Sequence, residues 1–408
     1  LVSRPQSPLG SKKPKARTLE PVQLAGQQGR EHPGVSVVQL DRTRCMAIYP
    51  PGADPDCSPL FCGQATGSHA RRSHDHGGRR PPCLGTERAA GRKNGAQLWM
   101  QINHPGRQVF AAMGGKVLSP SDVAMDMGKH SNLFSRPSPM SEQEIREVIQ
   151  RFVITALKAE EAGFTGVQIH AAHGYLLSQF LSPLTNKRTD QWGGSLENRA
   201  RILIETVKAV RNAVAKETTV AVKLNSADFQ RGGFDTRDAL NVVRRLDELG
   251  VDLVELSGGS YESPAMQGRT ADGRTLAREA YFLEFAKEVA KIASMPVMTT
   301  GGIRRLPVVA QVLNEGIDVV GMGTALAFNP ALPMLWRDNP QVEAVIPLVN
   351  WKDKTLSGVA TMAIVKRQLQ RMGNGKSPKP NVSPLFSLVT DRFRLNKLTK
   401  QYRTRYTG

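Results

Sequence analysis

No run in the 408-residue chain approaches the roughly 18 consecutive apolar residues that a membrane-spanning helix needs, so no membrane span is expected. The first 30 residues are polar and basic and hold no apolar core of the kind a secretory signal carries, which leads to a cytoplasmic expectation. A basic, Ser-containing, acid-poor start is shared with organellar transit peptides, but its Arg and Lys are scattered without an apolar face. Cysteine is scarce: Cys45, Cys57, Cys62 and Cys83 are all of it, and each lies in the first 94 residues. Cys57 and Cys62 followed by His74 and His76 match no common zinc-finger spacing, and paired Cys-x2-Cys knuckles are missing, so no metal is expected. No G-x-G-x-x-G follows an early strand, which argues against a dinucleotide-binding Rossmann sheet.

The charge is uneven. Net +19 would ordinarily suggest nucleic acid or an anionic surface as partner. Residues 1–94 carry 15 Lys and Arg against 7 Asp and Glu, and residues 350–408 carry 13 against 2. The stretch between is balanced at 27 against 27, as in a compact enzyme domain. The basic ends also lack the interleaved aromatics of a base-stacking platform, so nucleic acid is not the expected partner. This divides the chain into a basic, Cys- and His-containing segment over 1–94, a folded domain over 95–345 and a basic extension over 346–408. Low-complexity stretches such as Arg71–Pro82 in the first segment bury too little apolar surface to fold readily. In the extension, Thr361–Arg371 reads as a short amphipathic helix and the basic run to Tyr406 as a solvated tail.

From about residue 95 strands and helices alternate. Gln97–Ile102 reads as a strand. The capping box Ser141-Glu142-Gln143-Glu144 then opens a helix whose Ile145, Val148, Ile149, Phe152, Val153 and Leu157 recur at helical spacing, up to a left-handed cap at Gly163. Strands follow at Gly166–His170, Thr219–Asn225, Val251–Leu256, Pro296–Thr300 and Asp318–Met322. The helices between them run over roughly 199–215, 236–249, 278–292 and 305–314, with a last one after residue 322. Apolar runs such as Val220-Ala221-Val222 suit strands covered on both faces. Repeated βα units imply a parallel sheet with right-handed crossovers. Six strands are visible, and a closed barrel of eight would draw two more from Val35–Leu40 and Arg44–Tyr49.

In a βα barrel the loops after the C-terminal strand ends build the active site. Strand Gly166–His170 ends in His170-Ala171-Ala172-His173-Gly174-Tyr175, which puts three proton-exchanging groups within six residues of a buried strand end. A metal there would want a third ligand nearby, and none is.

The stretch from His170 through Gln179 to Pro183, continued by Asn186, Arg188, Asp190, Gly193-Gly194-Ser195 and Asn198-Arg199, closely resembles the signature of the Old Yellow Enzyme (NADH:flavin oxidoreductase) family. Gln97–Arg107 is similar to that family's third strand, Val220–Leu224 to its fifth, and Thr299–Gly302 with Gly321–Thr324 to its phosphate site. The resemblance covers roughly 88–335 and implies an α/β fold, a TIM (β/α)8-type barrel in which the six visible strands are the third to eighth.

The resemblance further implies FMN as cofactor, NADPH or NADH as reductant, and a small-molecule enone-type substrate whose C=C bond is reduced. Gln101 would meet the isoalloxazine edge, and Lys223 the negative charge on reduced N1 and the C2 oxygen. Gly301, Gly302 and Gly323 would hold the phosphate, beside Thr324, where many relatives carry Arg. His170 and His173 would hydrogen-bond the substrate carbonyl, and Tyr175 would act as proton donor. Lys223 also has a purely structural alternative, an ion pair with a neighbouring carboxylate such as Glu255. The first two strands of the family pattern do not appear in residues 1–94. The competing function is a catalytically degenerate homologue acting as an interaction protein, and a homo-oligomer is compatible with either.

Overall fold

The computed structural model describes Val2–Ser3, by backbone alone, and residues 96–267 and 279–406. Strands β1 (Val2–Ser3), β2 (Trp99–Ile102), β3 (Leu118–Ser119), β4 (Ser138–Pro139), β5 (Gly166–Ala171), β6 (Thr219–Asn225), β7 (Leu253–Ser257), β8 (Val297–Thr299) and β9 (Val319–Val320) form two sheets. The larger has the order β1-β9-β8-β7-β6-β5-β2, and the smaller pairs β3 with β4. All neighbours from β2 to β9 are parallel. Helices α1 (Glu142–Ala162), α2 (Leu176–Leu181), α3 (Leu196–Ala213), α4 (Thr236–Glu248), α5 (Leu283–Ile292), α6 (Leu306–Asn314) and α7 (Thr324–Phe328) fill the crossovers and follow the last strand.

The six strands read from the sequence are therefore present, each within a few residues of its expected bounds. Val35–Leu40 and Arg44–Tyr49 lie outside the described residues. The strand beyond β9 is β1, which runs antiparallel to it, whereas a closed βα barrel would place a parallel strand there. Among the described residues the sheet stays open between β1 and β2.

Register explains how one sheet serves two purposes. Side chains alternate faces along a strand, and the outward set, including Val167, Ile169, Val220, Val222, Leu224, Val254, Leu256 and Val297, packs into the main core beneath the helices. The inward set is layered. Trp99, Ala221, Leu253 and Met298 make an apolar floor. Two residues further along their strands come the polar side chains Gln101 on β2, Lys223 on β6 and Glu255 on β7, while on β5 Gln168 and His170 pair in register with Ala221 and Lys223, and Asn225 with Ser257 closes the strand ends. The inner face thus passes from apolar to polar toward the C-terminal strand ends.

Helix α1 forms as its sequence predicts. Ser141 Oγ accepts the Glu144 N–H at 3.2 Å and the Glu144 carboxylate accepts the Ser141 N–H at 2.8 Å. Its buried face is Ile145, Val148, Ile149, Phe152, Ala156 and Ala159. Leu157 departs from the expectation and is exposed, because 3.6 residues per turn carry it past the stripe that the two alanines complete.

The extension after the last barrel helix is more ordered than its charge suggested. After α8 (Leu332–Asp338), helices α9 (Lys354–Gly373) and α10 (Pro384–Tyr406) pack on each other, so the expected solvated tail is a helix of 23 residues. Ile364 and Val365 of α9 join Ala327 and Phe328 of α7 in a separate apolar cluster. A half-buried Lys366–Asp391 ion pair at 3.1 Å ties the two long helices together.

At the end of β2 the His104 ring is enclosed, although part of the residue's surface is open, and its Nδ1 accepts the Gly106 N–H at 3.1 Å. Desolvation, helped by the Arg151 charge, lowers its pKa from 6.5 to about 4. A depressed folded pKa means the unfolded chain takes the proton first. Stability is thus complete above pH 6.5 and declines as pH falls toward 4. Denaturant midpoints measured across that window should fall with pH in the parent protein and flatten in His104→Gln. Separately, Ser141→Ala should cost about 1 kcal/mol in the same assay, and Ser141→Gly only a few tenths.

Candidate active site

Strand β5 delivers His170 to the inner face, and the chain then reverses through a left-handed pair, His173 (φ 62°) and Gly174 (φ 70°). A non-glycine residue in that region costs on the order of 1–3 kcal/mol and is held there only by its surroundings. Here the His173 N–H donates to Asn225 Oδ1 at 2.9 Å, and its carbonyl accepts from Gln108 Nε2 at 3.0 Å. Gly174 has no such latitude, since a Cβ would lie 2.8 Å from that of Ser260. The reversal brings Tyr175 back over the strand end. His170, His173 and Tyr175 are each about 1% exposed, with ring centroids 4.9 Å apart for the two imidazoles and 5.0 Å for His170 and Tyr175.

The hydrogen bonds assign the tautomers. Ala172 N–H donates to His170 Nδ1 at 3.3 Å, so the ring hydrogen of neutral His170 sits on Nε2. That Nε2 donates to His173 Nδ1 at 3.1 Å, and His173 Nε2 in turn donates to Ser257 Oγ at 2.6 Å. A directed chain runs from β5 to β7. On the other side the Tyr175 hydroxyl meets that of Tyr261 at 3.0 Å.

Next to these groups lies the polar layer. Gln101 Nε2 donates to Gln168 Oε1 at 2.6 Å, Gln168 Nε2 to Glu255 Oε2 at 2.8 Å, and Lys223 Nζ to Glu255 Oε1 at 2.6 Å. The structural alternative for Lys223 is realised: it and Glu255 are a buried ion pair. Gln101 and Lys223 thus belong to one buried hydrogen-bond network, in which Lys223 pairs in register with His170 and Gln101 with Gln168.

The predicted phosphate residues sit apart from this group, on the adjoining ends of β8 and β9, where Gly321 N–H donates to the Thr299 carbonyl at 2.7 Å. Barrel enzymes often hold phosphate after their seventh and eighth strands. Gly302 is left-handed (φ 72°), and a Cβ on it would strike the Tyr281 hydroxyl. Gly323 and Thr324 begin α7, and nothing lies within 4 Å of a Cβ built on Gly323. The donor set fits FMN: an amide and a lysine in the polar layer suit the ring's alternating acceptors and donor, and bare glycine backbone at two neighbouring strand ends suits a phosphate. Buried Thr299 Oγ1 and Ser226 Oγ, both at strand ends, have no hydrogen-bond partner among the described residues, which also suits a polar occupant.

Sequence reasoning missed Tyr261, Ser257 and Gln168. Tyr261 and Ser257 belong to Ser257-Gly258-Gly259-Ser260-Tyr261 at the end of β7, where the positional rule that singled out His170 applies equally. Gln168 lies two residues before His170 and so shares its face. Among the described residues no group of three His, Cys, Asp or Glu is placed to hold a metal, and no helix is long and apolar enough to cross a membrane.

The family model for NADH:flavin oxidoreductase / NADH oxidase matches residues 89–339. NADH-dependent flavin oxidoreductase iliE of Neonectria sp. (strain DH2) is 36% identical over 296 residues, covering 67% of this chain and 38% of the relative. NADH-dependent flavin oxidoreductase nadA of Aspergillus parasiticus is 35% identical over 291 residues, covering 71% of this chain and 64% of the relative. The chain therefore spans less than two thirds of either relative. An old yellow enzyme homologue from Zymomonas mobilis superposes with a TM-score of 0.52 at 24% identity, over 64% of this chain and 72% of that one, which supports the barrel fold. With its six parallel strands in order and its signature residues at the end of β5, the chain belongs to the NADH:flavin oxidoreductase / NADH oxidase family.

Proposed function

We propose that the chain is an FMN-dependent, NADH- or NADPH-driven ene-reductase that reduces the C=C bond of an α,β-unsaturated carbonyl compound. The observation that carries this reading is the meeting of two imidazoles and a phenol at one buried strand end, beside a buried network that holds a lysine and two amides. When bound, FMN supplies a hydride donor that the nicotinamide recharges. Gln101 and Lys223 would hold the ring edge, while Gly301, Gly302, Gly323 and Thr324 would hold the phosphate.

The remaining chemistry belongs to side chains. A carbonyl oxygen placed between His170 and His173 would accept from imidazole N–H groups and gain enolate character as charge develops on it. To offer that hydrogen, the His170 Nε2–H turns from His173 Nδ1 to the oxygen, a substitution of acceptors that leaves no donor unpaired. Tyr175 gives its phenolic proton to the α-carbon. Burial of all three groups excludes water, which would otherwise compete for the N–H donors.

Purified protein should be yellow and should oxidise NADH or NADPH when an enone is added. Colourless protein that takes up no added FMN would favour the degenerate-homologue alternative. In stopped-flow experiments Tyr175→Phe should slow reoxidation by an enone by about 10²-fold or more while reduction by the nicotinamide changes little. Equal losses in both halves would remove Tyr175 from the proton-donor role.

A further inference from the structure

Tyr175 is enclosed by protein, so a proton it gives away cannot be replaced directly from solvent. Among the described residues its hydroxyl has one hydroxyl neighbour at hydrogen-bonding distance, that of Tyr261 at 3.0 Å, and Tyr261 is only half-buried. We propose that Tyr261 is the relay residue that recharges Tyr175 after each turnover. This rests on the ene-reductase reading and adds to it the route by which the proton returns.

The loop that carries Tyr261 is fixed on both sides, as a relay over a single hydrogen bond requires. Its backbone N–H donates to Gln108 Oε1 at 3.3 Å, and the same Gln108 amide donates to the His173 carbonyl, so one side chain sets the spacing between the two loops. The next residue, Glu262, forms a buried ion pair with Arg107 and accepts the Asp126 N–H at 2.6 Å. The Tyr261 ring packs on Tyr175 with centroids 6.0 Å apart and on Phe134 at 6.3 Å.

Each bond broken in the relay is matched by one formed. The Tyr175 O–H bond breaks and its proton forms the new C–H bond at the substrate α-carbon, leaving a phenolate. The Tyr261 O–H bond then breaks, its proton restores Tyr175, and Tyr261 takes a proton from solvent water, which leaves as hydroxide and accounts for the one proton consumed per turnover. No electron moves in the relay.

The test compares FMN-loaded parent protein with Tyr261→Phe, which keeps the ring contacts and removes only the hydroxyl. One turnover of prereduced protein with cyclohexenone needs only the proton already on Tyr175, whereas steady-state turnover needs it replaced. The expected result is a first turnover at the parent rate, a steady-state rate lower by about tenfold or more, and tyrosinate ultraviolet absorbance persisting after the first turnover in the variant alone. Adding Tyr261→Phe to Tyr175→Phe should then cause no further loss. An equal slowing of first and later turnovers would make Tyr261 a packing residue and overturn the relay, as would a variant that matches the parent in both. Parent protein that binds FMN but turns over no enone would instead overturn the ene-reductase reading itself.

Discussion

The inner face of the sheet is organised around one buried charge pair, Lys223 with Glu255, enclosed on β6 and β7. Removing two ions from water costs several kcal/mol each, and mutual attraction repays it only when geometry is good and the leftover hydrogen-bonding capacity is used. Here the second Glu255 oxygen is taken by Gln168 on β5, whose carbonyl accepts from Gln101 on β2. The chain of contacts therefore crosses four strands. A slip of one residue in any of them would send its polar side chain into the outer apolar core and leave the pair incomplete. Register, and with it the placing of His170 beside Lys223, is set by this requirement.

The long signature after β5 divides into two kinds of residue. His170, His173 and Tyr175 converge on one point, but many of the later residues hold loops. Gln179 donates to the Gly174 and Pro105 carbonyls and accepts the Arg107 N–H, binding the β2 and β5 loops together. Asn186 donates to the Phe180 and Trp192 carbonyls, each at 2.8 Å. Arg188 reaches the Met140 and Pro120 carbonyls, while Arg199 serves those of Leu181 and Gly194. Backbone groups in a buried loop need partners as much as those in a strand do. The part of the sequence that most readily reveals its lineage is thus in large measure the part that satisfies otherwise stranded carbonyls.

Legibility in the sequence tracked the strength of periodicity. Thr219–Asn225 and the capped helix from Ser141 were readable to the residue because alternation and capping chemistry are local. The imidazole and phenol cluster was readable because all three lie within six residues. Tyr261 was not, because its partnership with Tyr175 spans 86 positions and depends on how two loops meet. The last helix was hidden for another reason: its buried side includes Ser387 and Asp391 while Leu385, Phe386 and Phe393 are exposed, so apolar spacing points away from the true contact. Its ion pair with Lys366 replaces the hydrophobic stripe that a sequence reading looks for.

The imidazole chain also constrains how a substrate can enter. Because His170 Nδ1 accepts from the Ala172 backbone, this ring has a single hydrogen to give, and it already points at His173. His173 is likewise committed, its hydrogen directed to Ser257 and its backbone held left-handed by Asn225 and Gln108. On the proposed reading, an incoming carbonyl oxygen would therefore compete with acceptors supplied by the protein, so its net gain would be the difference between two hydrogen bonds and small for a neutral ketone. As the oxygen acquires negative charge the comparison shifts, since a charge-assisted hydrogen bond is roughly twice as strong as a neutral one. For the proposed enone, donors that are already satisfied at rest would favour the charged state of the substrate over its ground state, and that differential is the part of binding energy that accelerates a reaction.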